Sequence, residues 1–150
     1  MQLFGTRKID GYTIIVGCGR LGAMLANAIS DNGENVLIID KQSEAFRKLS
    51  PSFGGIALTG DATDITILTE ADIEKASAIV VVTNNDNTNI MVAQMAKALF
   101  HVSYVITRLY DVERGVVYRE FDIETISPAS LSAMEIERLL SVSREQEDSI

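Results

Sequence analysis

Residues 12–22 run Tyr-Thr-Ile-Ile-Val-Gly-Cys-Gly-Arg-Leu-Gly, an apolar stretch that passes straight into Gly-x-Gly-x-x-Gly. The three glycines leave the chain few ways to fold. Gly17 permits a tight turn, Gly19 keeps side-chain bulk away from an approaching ligand, and Gly22 lets the following helix lie close to the sheet. A lone Gly-x-Gly-x-x-Gly is a weak signal. Here a strand precedes it, a helical pattern follows, and a second apolar run, Val36-Leu-Ile-Ile, ends in Asp40, eighteen residues beyond Gly22. Strand, glycine turn, helix, strand and acid in that order are the fingerprint of a dinucleotide-binding βαβ unit.

The rest of the chain repeats the alternation. Strands are expected at about 12–17, 35–40, 55–59, 78–83, 103–108 and 123–126, from short apolar runs between turn residues. Helices are expected at about 20–31, 42–50, 63–71, 86–100, 111–120 and 128–140. The first helix carries Leu21, Met24, Leu25, Ala28 and Ile29 on one face and ends at Asn32-Gly33, and Pro51 stops the second. Continuous apolar strands such as Ile79-Val-Val-Val fit a parallel sheet covered on both faces. Right-handed crossovers then give an α/β, Rossmann-like, doubly wound sheet of six parallel strands in the order 3-2-1-4-5-6. Residues 1–11 read as an N-terminal extension, 12–141 as the nucleotide domain, and 142–150, with Glu145, Glu147 and Asp148, as a flexible acidic tail.

Charge and composition narrow the function. A net charge of −8 argues against nucleic acid, whose phosphates need a basic patch. One cysteine excludes an internal disulfide and fits a reducing compartment. The start, Met1 to Gly5, lacks a basic segment followed by a long apolar one, and the apolar run Ala78–Val82 is too short to span a bilayer. A soluble, cytoplasmic chain is expected.

Ligands of such sheets sit beyond the carboxyl ends of the strands. After strand one, the N–H groups of Gly19, Arg20 and Leu21 point at a ligand, and the helix dipole favours its negative charge. Cys18 reads as a small filler. Arg20 is placed to fold over phosphates or to reach across a subunit boundary. Asp40 accepts from ribose hydroxyls and repels a 2′-phosphate, which favours NAD or an adenine nucleotide over NADP; its other reading is a helix cap. Lys41 follows it and is expected to point to solvent. Asp61, with Ala62, closes strand three and meets an adenine edge or serves as a helix N-cap, a role also open to Thr63. Val82 and Thr83 end strand four beside the pyrophosphate, in a polar run that also caps the next helix. Arg108 ends strand five, poised for phosphate, a neighbouring subunit or a surface ion pair.

Taken together, these residues resemble the N-terminal nucleotide-binding domain of the TrkA/KtrA proteins, the RCK (regulator of potassium conductance) family. The resemblance covers about residues 12–140 and rests on Gly-Cys-Gly-Arg-Leu-Gly (17–22), Leu-Ile-Ile-Asp (37–40), Gly-Asp-Ala-Thr-Asp (60–64), Ala-Ile-Val-Val-Val-Thr (78–83) with Asp86 and Asn89, Ile-Thr-Arg (106–108) and Phe-Asp-Ile-Glu-Thr-Ile-Ser-Pro (121–128). Arg108 followed by Leu-Tyr-Asp is closer to the TrkA pattern. The resemblance implies a cytoplasmic regulatory subunit, peripheral to the membrane, that binds NAD(H) or AMP, ADP or ATP and controls an integral-membrane potassium transporter or channel. It also implies dimers or octameric rings. Ligand contacts would fall on Gly17–Leu21, Asp40, Val82, Thr83 and Arg108. The family carries a second, smaller C-terminal domain. This sequence ends near the close of the first, as a piece of a longer chain or a member with the nucleotide domain alone.

An NAD-dependent oxidoreductase is the competing class. It needs an acid or base near the nicotinamide, and the chain has no Tyr-x-x-x-Lys and a single histidine, His101, expected away from the strand ends. A methyltransferase is weaker still. No His/Cys cluster suggests a transition metal. A third class is an oligomerisation module. Ile90, Met91, Val92, Met95 and Leu99 make the fourth helix apolar on more than one face, and the last helix carries Leu131, Met134, Ile136, Leu139 and Leu140. Such wide stripes fit helices held between sheet and partner, or covered by the sheet alone.

Overall fold

Successive side chains of a strand point to opposite faces of its sheet, so a strand in which Ile14 and Ile15 are both fully buried needs cover on each side. The computed structural model, which describes residues 11–149, provides it. Strands β1 (Tyr12–Val16), β2 (Asn35–Asp40), β3 (Ile56–Thr59), β4 (Ala78–Val81), β5 (Tyr104–Arg108) and β6 (Glu124–Ile126) pair in parallel in the order β3-β2-β1-β4-β5-β6. Helices α1 (Arg20–Asp31), α2 (Ile65–Glu70), α3 (Asp86–Ala98), α4 (Gly115–Arg119) and α5 (Pro128–Asp148) alternate with them. One face of the sheet, including Ile14, Val16, Ile39 and Val81, packs with Leu68 of α2 and Val92 and Ala93 of α3. The other, including Ile15 and Ile38, packs with Ala23, Ala26 and Ile29 of α1 and with Phe46. The architecture and strand order are those expected.

Several local details differ. Of the expected face of α1, Ile29 is buried and Leu21 and Leu25 pack partly buried against the core, but Met24 is exposed; Gly22, Ala23 and Ala26 are buried too, and their small size lets the helix lie close to the sheet. The expected helix at 42–50 is a 3-10 segment, Ser43–Lys48, with Ala45 N–H donating to the Gln42 carbonyl and Leu49 N–H to that of Phe46. Pro51 leaves too little chain for a longer α-helix, and 3-10 turns suit short connectors. The segment expected as one helix over 111–120 is a 3-10 turn followed by the short α4. The last helix does not fray near Leu140 but runs on to Asp148, through Arg144, Glu145, Gln146 and Glu147, all good helix formers with no glycine or proline among them. Of the expected N-terminal extension, residues 1–10 lie outside the described residues.

At the amino ends of the strands, Tyr12 Oη donates to the Ala71 carbonyl at 2.7 Å. Burial first, and the nearby Asp72 carboxylate second, push its phenol up to about 12. The neutral form is therefore favoured in the fold. Below pH ~10, the unfolded-state value, this stabilisation is complete. Between there and about 12 the unfolded chain loses its proton first, and stability declines. Tyr12→Phe should cost about 1 kcal/mol at neutral pH from the lost hydrogen bond, and its stability should fall less steeply than wild type through that alkaline window. Urea unfolding across the window measures both; parallel declines would contradict the assignment.

Candidate functional site

The glycine turn sets the geometry of the carboxyl end of the sheet. Gly17 has φ +104°, in the region that favours glycine. A Cβ on Gly22 would lie 1.8 Å from the Gly17 carbonyl oxygen, so only glycine allows α1 to start this close to β1. Gly19 is different: a Cβ there would meet nothing within 4 Å. Its freedom faces open space. Asp64, Asn85 and Ser127 cap α2, α3 and α5 with side-chain oxygens. Gly19 caps α1 with no side chain at all. The first-turn N–H groups of a helix have no partner within it, so α1 presents donors and a positive dipole end to the space before Gly19.

On the β2–β3 side, Asp40 holds the turn in place. Its Oδ2 accepts from Cys18 N–H at 2.8 Å and its Oδ1 from Gln42 N–H at 2.9 Å. Each oxygen keeps further acceptor capacity. Asp40 is therefore not a helix cap: the cap position of the segment Ser43–Lys48 is Gln42, with no side-chain cap bond. The bond from Asp40 to the glycine turn was not visible in the sequence, because it joins residues 22 apart. Lys41 does not simply point to solvent: its Nζ lies 3.5 Å from Asp61 Oδ2. Asp61 is not the N-cap of α2. It accepts from Thr63 Oγ1 at 2.7 Å and Thr63 N–H at 3.0 Å, and Asp64 takes the cap instead. Those two bonds from Thr63, with a smaller push from Lys41, hold the Asp61 carboxyl below the usual range. Cys18 is buried, with Sγ 3.3 Å from the Ala45 carbonyl. Burial and the Asp40 carboxylate raise its thiol against a weaker opposing pull from Lys48. A thiol kept protonated is a poor nucleophile, which agrees with its reading as a filler.

On the β4–β5 side, Arg108 Nη2 donates to the Thr83 carbonyl at 2.5 Å, and the guanidinium carbon lies 5.2 Å from the centre of the Tyr110 ring. Among the described residues its Nε is buried and without a partner. A carbonyl and an aromatic ring, rather than an ion pair, fix this arginine. The two sides enclose a cleft of about 640 Å³. Gly17, Cys18, Gly19, Asp40, Lys41, Asp61, Ala62, Val82, Thr83 and Arg108 all line it. Arg20, Leu21 and Gly22 do not: Arg20 is exposed at the start of α1, and Gly22 is buried against Gly17. Glu44 and Lys48 also line the cleft and were missed, although their four-residue spacing just after Asp40 was a usable signal. His101 lies between α3 and β5, at the amino end of the strand and so at the end of the sheet opposite the cleft.

Residues 13–128 match the family model of the TrkA-N domain. The chain belongs to the TrkA-N family. It is 40% identical over 129 residues to the Trk system potassium uptake protein TrkA of Streptomyces coelicolor, an alignment covering 86% of this chain and 58% of that protein. It thus spans a little over half the length of that relative. Among solved structures it is similar to the GsuK channel bound to NAD, at 28% identity and TM-score 0.75, covering 93% of this chain and 25% of that one. The TrkA-N domain of the inner membrane protein YbaL from Escherichia coli shares the fold at TM-score 0.77 and 19% identity, covering 89% and 99% of the two chains. The RCK resemblance read from the sequence therefore holds for the family and for the fold of this TrkA-N domain.

The glycines give a direct test of which surface is structural and which is left open. Gly22→Ala should destabilise the domain by several kcal/mol, about 3 or more, as expected of a backbone clash in a packed site. Gly19→Ala should cost much less, about 1 kcal/mol or below, the difference between glycine and alanine at an N-cap. Thermal melts of both variants check this; similar melting losses would contradict it.

Proposed function

We propose that this TrkA-N domain binds NAD(H) or an adenine nucleotide and acts as the cytoplasmic, nucleotide-sensing part of a potassium transport system. The observation that carries the reading is the uncapped start of α1 at Gly19, open to the cleft and facing the Asp40 carboxylate. The residues suit the ligand. Free first-turn N–H groups and a helix dipole take a pyrophosphate. Asp40 has acceptor capacity left for ribose hydroxyls, and Arg108 and Thr83 stand on the far side of the turn for the rest of the ligand. The GsuK channel structure with NAD, at 28% identity, supports the choice of ligand class.

Binding without turnover is part of the proposal. Among the described residues, those lining the cleft include no histidine or tyrosine, and the Cys18 thiol is held protonated. The partner would be an integral-membrane potassium transporter or channel, as the Trk relative suggests. Among the described residues no helix is long and apolar enough to cross a membrane. Assembly with further copies has a physical basis in α5. None of its residues is buried, and Leu131, Met134, Ile136, Leu139 and Leu140 are each more than half exposed. The sheet therefore does not cover this helix. On α3 it covers Ile90 and Val92 but leaves Met91 exposed, as it does Leu99 just past the helix end.

Calorimetric titration should show binding of NAD, NADH, AMP, ADP or ATP, and NADP binding weaker by about tenfold or more, the effect of setting a 2′-phosphate against a carboxylate. Equal affinity for NAD and NADP would contradict the role given to Asp40. No binding of any of the five at millimolar concentration would contradict the nucleotide reading itself.

Light scattering of the purified chain should give a dimer or larger species, with a scattering profile that changes on adding the bound nucleotide, since a ligand shifts an assembly only by binding one arrangement better. A monomer at high concentration in both states would defeat the assembly reading.

A further inference from the structure

Asn89 is fully buried on a helix that turns Val92, Ala93 and Ala96 to the core. A buried amide is costly unless its hydrogen-bonding positions are filled. Here they are. Oδ1 accepts from the Thr83 N–H at 3.0 Å and from the Thr83 hydroxyl. Nδ2 donates to the Thr83 carbonyl at 3.0 Å and to the Arg108 carbonyl at 2.9 Å. One side chain thus ties the end of β4 to the end of β5. Arg108 closes the ring by donating its own Nη2 to the Thr83 carbonyl. Thr83 and Arg108 line the cleft, whereas Asn89 does not. Three residues earlier on α3, Asp86 accepts from the N–H groups of Tyr110 at 2.9 Å and Asp111 at 3.1 Å. The first turn of α3 therefore grips the main chain at Arg108 and again just beyond it.

We propose that Asn89, supported by Asp86, is a positioning residue for ligand discrimination. Acting through Thr83 and Arg108, it sets the β4–β5 half of the cleft, the half that only a dinucleotide fills. The adenosine half rests on Asp40 and the glycine turn, which Asn89 does not touch. This inference rests on the nucleotide reading above and deepens it. A purely structural asparagine would, on removal, weaken every ligand alike. A positioning asparagine weakens the ligand that spans both halves and spares the one confined to the first.

The test compares NAD with AMP. Asn89→Asp keeps the size of the side chain and the acceptor for Thr83, but sets an oxygen in place of the donor that served two carbonyls. The ratio of NAD to AMP affinity, measured by calorimetry on variants with a cooperative melt, should fall about tenfold or more, the scale expected when buried hydrogen bonds to Thr83 and Arg108 are lost. Asp86→Ala removes a half-buried side chain outside the cleft, and should lower the same ratio by a smaller factor. It decides the matter if Asn89→Asp fails to fold. A ratio unchanged from wild type in the folded variants would overturn the proposal. A wild-type chain that bound neither NAD nor AMP would overturn the nucleotide reading instead, and the inference with it.

Discussion

The rest of the cleft depends on the contact between Gly22 and the Gly17 carbonyl. No residue with a Cβ fits there, because that atom would overlap the oxygen at 1.8 Å. With glycine, α1 begins almost directly after β1, its first-turn N–H groups gathered at the carboxyl end of the sheet. The Asp40 carboxylate then fastens this turn to β2 through Cys18 N–H at 2.8 Å. Two strands and a helix end are thereby held together by the Asp40 side chain and by the Gly17 N–H bond to the Ile39 carbonyl at 2.8 Å. A cradle fixed in this way has little ordering entropy left to lose on binding, which is the physical content of preorganisation.

The fold was legible because it follows from local pattern. Apolar runs such as Ile14-Ile-Val, buried on both faces, fit a covered parallel sheet, and the dinucleotide fingerprint with Asp40 at the end of β2 points to the strand order that is observed. Ten of the thirteen residues singled out from strand ends line one cleft, because chain topology alone places the strand termini side by side. What was not legible depends on long-range partners. Asp40 bonding Cys18, Lys41 turning to Asp61 and Asn89 reaching Arg108 each join residues whose separation in sequence carries no pattern. Met24, placed on the core face of α1 by its size, is exposed for a related reason: close approach at the glycine turn sets Gly22, Ala23 and Ala26 against the sheet.

Helix α5 stands apart from this economy of contacts. Its 21 residues bury none of their number, although five large apolar side chains lie along it. Its anchor is β6, where Leu109 N–H donates to the Ile126 carbonyl at 2.9 Å and Ser127 caps the first turn. Leu109 directly follows Arg108, so the exposed helix is joined by a short run of backbone bonds to the half of the cleft that Asn89 organises. A change in the setting of Arg108 has a physical route to α5, and an apolar surface there has something to gain from a partner.

The central claim is that ligand meets the free N–H groups at the start of α1, and the most direct measurement is a titration of the 15N-labelled chain with NAD followed by amide NMR shifts. The largest shifts should fall on Gly19, Arg20 and Leu21, with further shifts at Thr83 and Arg108. Lys97 and Asp122, paired at 2.9 Å at the amino ends of the strands, should stay unmoved. Shifts absent from the glycine turn, or confined to those amino ends, would contradict the claim.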